Sequence, residues 1–155
     1  MTEKLEAWLS SNPTDIAPWL VEGLRAGCEY LGMSTGIVSQ IKQKQYVIQA
    51  VYSTLGDVFT PGVSFDLANT YCDAVVREHK PVTYIHVGSI PTMVLHPVYT
   101  SVQLESYIGV PLENADKDIV GTLNFSSHEI RPFSFDNEEI AMIEKMAAKI
   151  HQFIG

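Results

Sequence analysis

Two thiols and five imidazoles are the side chains of this sequence best suited to nucleophilic or metal-binding chemistry. Cys28 and Cys72 stand far apart and form no CxxC, so neither a disulfide framework nor a dithiol redox motif is present. His79, His86, His96, His128 and His151 show no HxxxH and no His–Cys spacing of the kind that holds zinc. Glycine-rich phosphate loops are missing too, whether of the GxGxxG or the Gly-Lys-Ser/Thr type. A thiol enzyme or redox sensor would need a base fixed beside Cys72 or Cys28. Both cysteines fall in segments that read as helix, with no such base adjacent, and Cys72 reads as a small buried apolar residue.

A second set of polar residues lies in residues 104–127, "LESYIGVPLENADKDIVGTLNFSS". Two strands are expected here, Ser106 to Leu112 and Ile119 to Ser127. Alternation places Tyr107, Gly109 and Pro111 on one face and Ile108, Val110 and Leu112 on the other. In the second strand, Thr122, Asn124 and Ser126 alternate with Gly121, Leu123 and Phe125. Each strand carries a glycine, which usually weakens a strand, and Pro111 requires an edge, a bulge or a strand end.

The elements that must position these residues are readable from periodicity. Leu5, Trp8 and Leu9 share one face of a short N-terminal helix. After the break "SSNPTD", Asp15 is placed to cap a helix that runs to about Leu31 and stops at Gly32. The β-rich stretches 34–42 and 45–53, two polar residues apart, predict a hairpin. A helix is expected near 67–79, ended by Lys80-Pro81, then a strand over 82–87. Residues 88–105 form a long connection with a short helix around Val98–Leu104; connections of this length often serve as lids. The last helix opens on a capping box in which Asp136 caps, Glu139 reaches back and Phe135 packs on Ile140. Ile140, Ile143, Ala147, Ile150 and Ile154 then form a seam at the coiled-coil period. That seam serves either packing on a sheet or a dimer or signalling helix continuing past Gly155, and two heptads do not decide between them.

Bulk composition narrows the function. At 155 residues, 46% hydrophobic and 18% charged, the chain reads as one globular domain. A net charge of −8 argues against nucleic acid and against an anionic membrane surface as partners. The acidic N-terminus lacks a signal-peptide apolar run and no window has the length of a membrane span, so a cytoplasmic domain with reduced thiols is expected. Helices alternating with antiparallel strands indicate an α+β fold.

The pieces "SYIGVPL", "DIVGTLNFSS" and "RPFSFDNEEIAMIEKMA", in this order and spacing, resemble the C-terminal half of a GAF domain, and "DLANTYCDAVVREHKPVTYIHV" resembles its middle helix and following strand. The resemblance runs from about Asp15 to Ile154 and implies a central antiparallel sheet of five to six strands. Helices from both termini would cover one face, and a cavity roofed by a loop and short helix would lie on the other. Residues 1–13 are then a helical extension and 14–155 the domain. The resemblance implies a sensory module that holds a small molecule and signals to an effector such as a histidine kinase, a diguanylate cyclase or a transcriptional regulator. A homodimer is expected.

Residue by residue, the enzymatic and covalent subclasses are not matched. A bilin-attaching Cys-His pair would fall near Val94-Leu95; His96 stands close to the histidine position, but no cysteine follows Cys72, so a covalent bilin is not expected. The cysteine of the free methionine sulfoxide reductases falls near Thr100, and their carboxylates fall at Tyr107, Asn124 and Ser126; a hydroxyl does not replace the thiolate. For cyclic nucleotides, Asn124, Phe133 and Asp136 are present, but phenylalanine follows the asparagine where lysine is needed. A non-catalytic module is therefore expected, binding its ligand through His86, Met93, Leu95, His96, Tyr99, Tyr107, Thr122, Asn124 and Ser126. The alternatives are a ligand-free dimerisation domain and a thiol redox enzyme related to the sulfoxide reductases. Gly109 would leave space on the cavity side, and Gly121 would let the helix layer approach the sheet.

Overall fold

Each strand pairs through the pattern its residues impose, and the result in the computed structural model, which describes residues 2–56 and 59–154, is one six-stranded antiparallel sheet. The elements are α1 (Thr2–Leu9), α2 (Ile16–Leu31), β1 (Thr35–Lys42), β2 (Gln45–Ser53), β3 (Ser64–Asp66), α3 (Cys72–Glu78), β4 (Val82–Tyr84), α4 (Pro97–Val102), β5 (Ser106–Glu113), β6 (Ile119–Ser127) and α5 (Asn137–Ile154), in the sheet order β3-β2-β1-β6-β5-β4. No helix among the described residues is long and apolar enough to cross a membrane.

The β1–β2 turn uses Gln43 and Lys44, both at positive φ, which is the backbone a two-residue hairpin demands. Along the pair, Val38 faces Ala50 but Ser39 faces Ile48, so Gln49 is an extra residue. That bulge inverts the alternation of β2: Tyr46 and Ile48 pack on one side of the sheet, and Ala50 packs on the other.

α1, α2 and α5 cover one face. Leu20, Leu24, Ile143, Met146 and Ile150 meet Ile108, Val110, Leu112, Leu123 and Phe125 there. Burying a large aliphatic or aromatic side chain stabilises by about 1.5–3 kcal/mol each, so this layer dominates the fold. The α5 seam is therefore largely buried inside the chain: Ile143, Ala147 and Ile150 lie in the core, with Ile140 and Ile154 half-buried at its margin. Its capping box forms in full, with the Glu139 amide donating to Asp136 Oδ1 at 2.7 Å and the Asp136 amide donating to Glu139 Oε1 at 3.0 Å. Asp15 differs from the sequence expectation. It sits extended at the N-cap of α2, yet its side chain makes no cap hydrogen bond.

α1 is bound into the same core. Leu5 is fully buried, the Trp8 ring stacks on Trp19 at 4.5 Å, and Trp8 Nε1 donates to the Trp19 carbonyl at 2.8 Å. On the opposite face, the stretch expected as one helix over 67–79 divides into a 3-10 turn at Leu67–Asn69 and the shorter α3. The strand expected over 82–87 ends at Tyr84, because residues Val87–Ser89 turn into a second 3-10 segment.

Candidate functional site

A cavity of about 280 Å³ lies between the second face of the sheet and the elements α3 and α4. Its floor comes from four strands: Ile37 of β1, Tyr46 of β2, Tyr107 of β5, and Asn124 and Ser126 of β6. Tyr71 and Cys72 form one wall, Phe59 and Phe65 another, and Pro97, Val98 and Val102 of α4 the roof. The floor residues converge because β1 and β5 flank β6, and because the β2 bulge turns Tyr46 inward.

A buried hydrogen-bond web runs beneath the cavity. Ser39 and Thr122 share a hydroxyl–hydroxyl bond of 2.7 Å, and Thr122 Oγ1 donates to Cys72 Sγ at 3.2 Å. Tyr107 Oη lies 2.9 Å from the same sulfur, and Asn124 Nδ2 donates to it at 3.3 Å and to Tyr46 Oη at 2.9 Å. Among the described residues the thiol thus has polar partners but no base: all of them are hydroxyls or an amide. Burial raises the Cys72 pKa, and it raises those of Tyr46 and Tyr107 far above the ordinary phenol value, so these groups stay neutral at neutral pH. Among the described residues, no three His, Cys, Asp or Glu side chains assemble into a metal-ligating group.

Tyr107 reaches the thiol by lying over Gly109, where an added Cβ would overlap its phenol oxygen. The cavity-side room that Gly109 provides is therefore taken by the Tyr107 ring. Gly121 has a different role from the one expected: a Cβ there would overlap the Ser39 carbonyl oxygen, so this glycine admits the neighbouring strand β1, not the helix layer. Pro111 is accommodated because β4 pairs with β5 only as far as Val82 and Gly109; beyond that point β5 is an edge, and a missing amide breaks no ladder bond.

The roof is fastened by Glu105. Its Oε1 accepts from the Gly88 amide at 2.8 Å and its Oε2 accepts from Tyr99 Oη at 2.9 Å, while its backbone amide donates to Ser127 at 3.0 Å. Tyr71 adds a second tie, Oη to the Leu104 carbonyl at 2.8 Å, and its ring meets those of Tyr107, Tyr84 and His96 at 5.4, 5.5 and 5.0 Å.

Of the residues singled out in the sequence, Tyr107, Asn124 and Ser126 line the cavity. Thr122 is fully buried below it, in the web. His96 caps α4 by accepting from the Val98 amide through Nδ1 at 3.1 Å, and burial lowers its pKa. Tyr99 is spent on Glu105, and Met93 packs against the apolar cluster on this face. His86 sits at the start of the 3-10 segment Val87–Ser89, off the cavity wall. Leu95 does not roof the cavity; it is 82% exposed, because the chain turns outward before α4. Sequence reasoning missed Tyr46, Phe65, Tyr71 and the hydrogen-bonded role of Cys72. The side of the sheet that Tyr46 takes is set by the bulge at Gln49 and not by the alternation in "QYVIQAVYS", and Cys72 carries no local signal either.

The GAF domain family model matches residues 19–154 of the chain. No curated protein matches by sequence. Among solved structures, the GAF domain of an Acinetobacter phosphoenolpyruvate-protein phosphotransferase aligns with a TM-score of 0.76 at 12% identity, covering 97% of this chain and 90% of that one. The free methionine-R-sulfoxide reductase of Neisseria meningitidis, in complex with its substrate, aligns with a TM-score of 0.74 at 16% identity, covering 97% and 86%. The chromophore-binding domain of a bacteriophytochrome from R. palustris gives 0.79 at 11% identity, covering 99% of this chain and 60% of that one. At these identities the likeness is one of fold.

Proposed function

The chain belongs to the GAF domain family, and from that premise we propose that it is a non-catalytic sensory module of the cytoplasm that binds a small organic molecule non-covalently. The observation that carries this is the cavity itself: mostly apolar walls, a few polar floor atoms, and a roof held by a small number of hydrogen bonds. A bound molecule would press on α4 and on strands β5 and β6, whose other faces pack α5, with Phe125 of β6 reaching α2 at Gly27. Terminal helices on that layer give a route to an effector such as a histidine kinase, a diguanylate cyclase or a transcriptional regulator, within a homodimer. The absence of a base beside Cys72 among the described residues, and the hydroxyls and amide at positions 107, 124 and 126, favour a sensor over a thiol enzyme.

A thermal-shift screen of nucleotides, amino acids, tetrapyrroles and metabolites tests the reading, because a ligand that binds only the folded state raises its melting temperature. Tyr107→Ala and Asn124→Leu are expected to abolish the shift of any hit. Hits that survive both substitutions unchanged would place the binding site elsewhere.

A further inference from the structure

Among the described residues, the lining of the cavity carries no full charge. Its ionisable groups are the Cys72 thiol and the phenols of Tyr46, Tyr71 and Tyr107, each kept protonated by burial. Two described carboxylates nearby are engaged, Glu105 with Gly88 and Tyr99, and Asp73 with Arg77 at 2.7 Å. An ammonium, carboxylate or phosphate group entering this space would shed water and meet no opposite charge, which is strongly unfavourable.

Two polar atoms of the floor nevertheless remain available. Asn124 directs Nδ2 to Tyr46 and Cys72, leaving Oδ1 without a hydrogen bond among the described residues. Among the described residues the Ser126 hydroxyl makes none either, although the residue is only 2% exposed. The two residues alternate on β6, so both project to the cavity side, about 7 Å apart along the strand. Around them stand the rings of Phe65, Tyr71 and Tyr107, surfaces that favour another ring by stacking or edge contact. At about 280 Å³ the space falls at the small end of the range of about 300–1,000 Å³ typical of ligand pockets.

We infer that this cavity selects an uncharged, planar aromatic molecule of one or two rings whose edge carries an N–H or O–H donor, the ring lying among Phe65, Tyr71 and Tyr107, the donor meeting Asn124 Oδ1, and Ser126 Oγ serving as a second polar contact. The inference rests on the cavity being the ligand site and adds the chemical class. It disfavours zwitterionic amino acids, phosphorylated nucleotides and tetrapyrrole carboxylates.

The test uses three probes that share one ring system: naphthamide, naphthoate and N,N-dimethylnaphthamide. Each is titrated into the isotope-labelled full chain and followed by NMR at the Asn124 side-chain amide and the β6 backbone. Naphthamide is expected to perturb these signals. Naphthoate, which is charged, and the dimethyl amide, which lacks the donor, should each bind about tenfold more weakly or worse, the scale of one lost hydrogen bond or more. Ser126→Ala and Asn124→Ala should weaken naphthamide in the same way. If Asn124→Ala does not fold, Ser126→Ala and the probe comparison on the unaltered chain still decide. Naphthoate binding as tightly as naphthamide would overturn the neutral class while leaving the ligand site standing. Silence of the cavity signals to naphthamide would also overturn it. If the metabolite screen is silent as well, the sensor reading falls with it.

Discussion

Cys28 and Cys72 are both buried, yet the sequence gives them no distinguishing context. Cys28 sits in the helix layer, and burial pushes its thiol from 9.0 up to about 12; Cys72 is raised by the same cause while four polar neighbours oppose it. In the unfolded chain a thiol ionises near the ordinary value, so above it the unfolded state loses a proton that the folded state keeps. The stability contributed by Cys28 is whole below 9.0 and is lost as pH climbs from there toward about 12, with a slope of about 1.4 kcal/mol per pH unit. Denaturant midpoints measured from neutral to alkaline pH should fall in that window, and Cys28→Ala should flatten the fall. Iodoacetamide followed by mass spectrometry should find neither thiol modified quickly at neutral pH; one fast-reacting cysteine would revive the redox reading. The glycines offer a second residue-scale test. A methyl group at Gly121 strikes backbone, which cannot move without opening the β1–β6 ladder, whereas one at Gly109 strikes a side chain that can rotate. Gly121→Ala should cost more than the about 1–3 kcal/mol typical of overpacking, and Gly109→Ala less; melting temperatures in the reverse order would contradict this account.

At the scale of elements, α4 is held by a small number of ties among the described residues. It has six residues, too few to be stable alone, and depends on the Glu105 and Tyr71 bonds and on its apolar underside. Removing the carboxylate by Glu105→Ala releases the Gly88 amide and Tyr99 together. Hydrogen exchange is then expected to accelerate over Pro97–Val102 while β6 keeps its protection. Unchanged exchange in α4 would mean that its apolar contacts alone hold the roof. The same short element explains why the lid was hard to place from sequence. Its prolines mark a connection, but which side chains point inward depends on where β5 anchors it.

At the scale of the whole molecule, α1 bears on where the domain begins. Residues 1–13 are expected to be a helical extension of the domain, and the family model begins at residue 19. Yet Leu5 and Trp8 lie in the main core, and Trp19 links Trp8 to Phe153 of α5 through rings at 4.5 and 5.3 Å. Losing a buried large apolar side chain costs about 2–5 kcal/mol, so a chain beginning at residue 14 should melt well below the full chain. Equal melting temperatures would mean that the domain stands without its helical extension.

Local physics made much of the architecture legible in advance. The two hairpins, the capping box at Asp136 and Glu139, the apolar faces of α2 and α5, and the opposite faces of Ile108 and Tyr107 all follow from periodicity and cap chemistry, which act between near neighbours in the chain. The α+β class and the antiparallel sheet follow from their order. Tertiary structure alone decided the rest. The bulge at Gln49, the outward turn of Leu95, the ring of Tyr107 laid over Gly109, and the meeting of Cys72 with Thr122, Tyr107 and Asn124 each depend on residues distant in sequence. A hydrogen bond or a close approach across strands is set by register and by the packing of the helix layers. No spacing along the chain encodes it, which is why the fold was nearer to the surface of the sequence than the floor of its cavity.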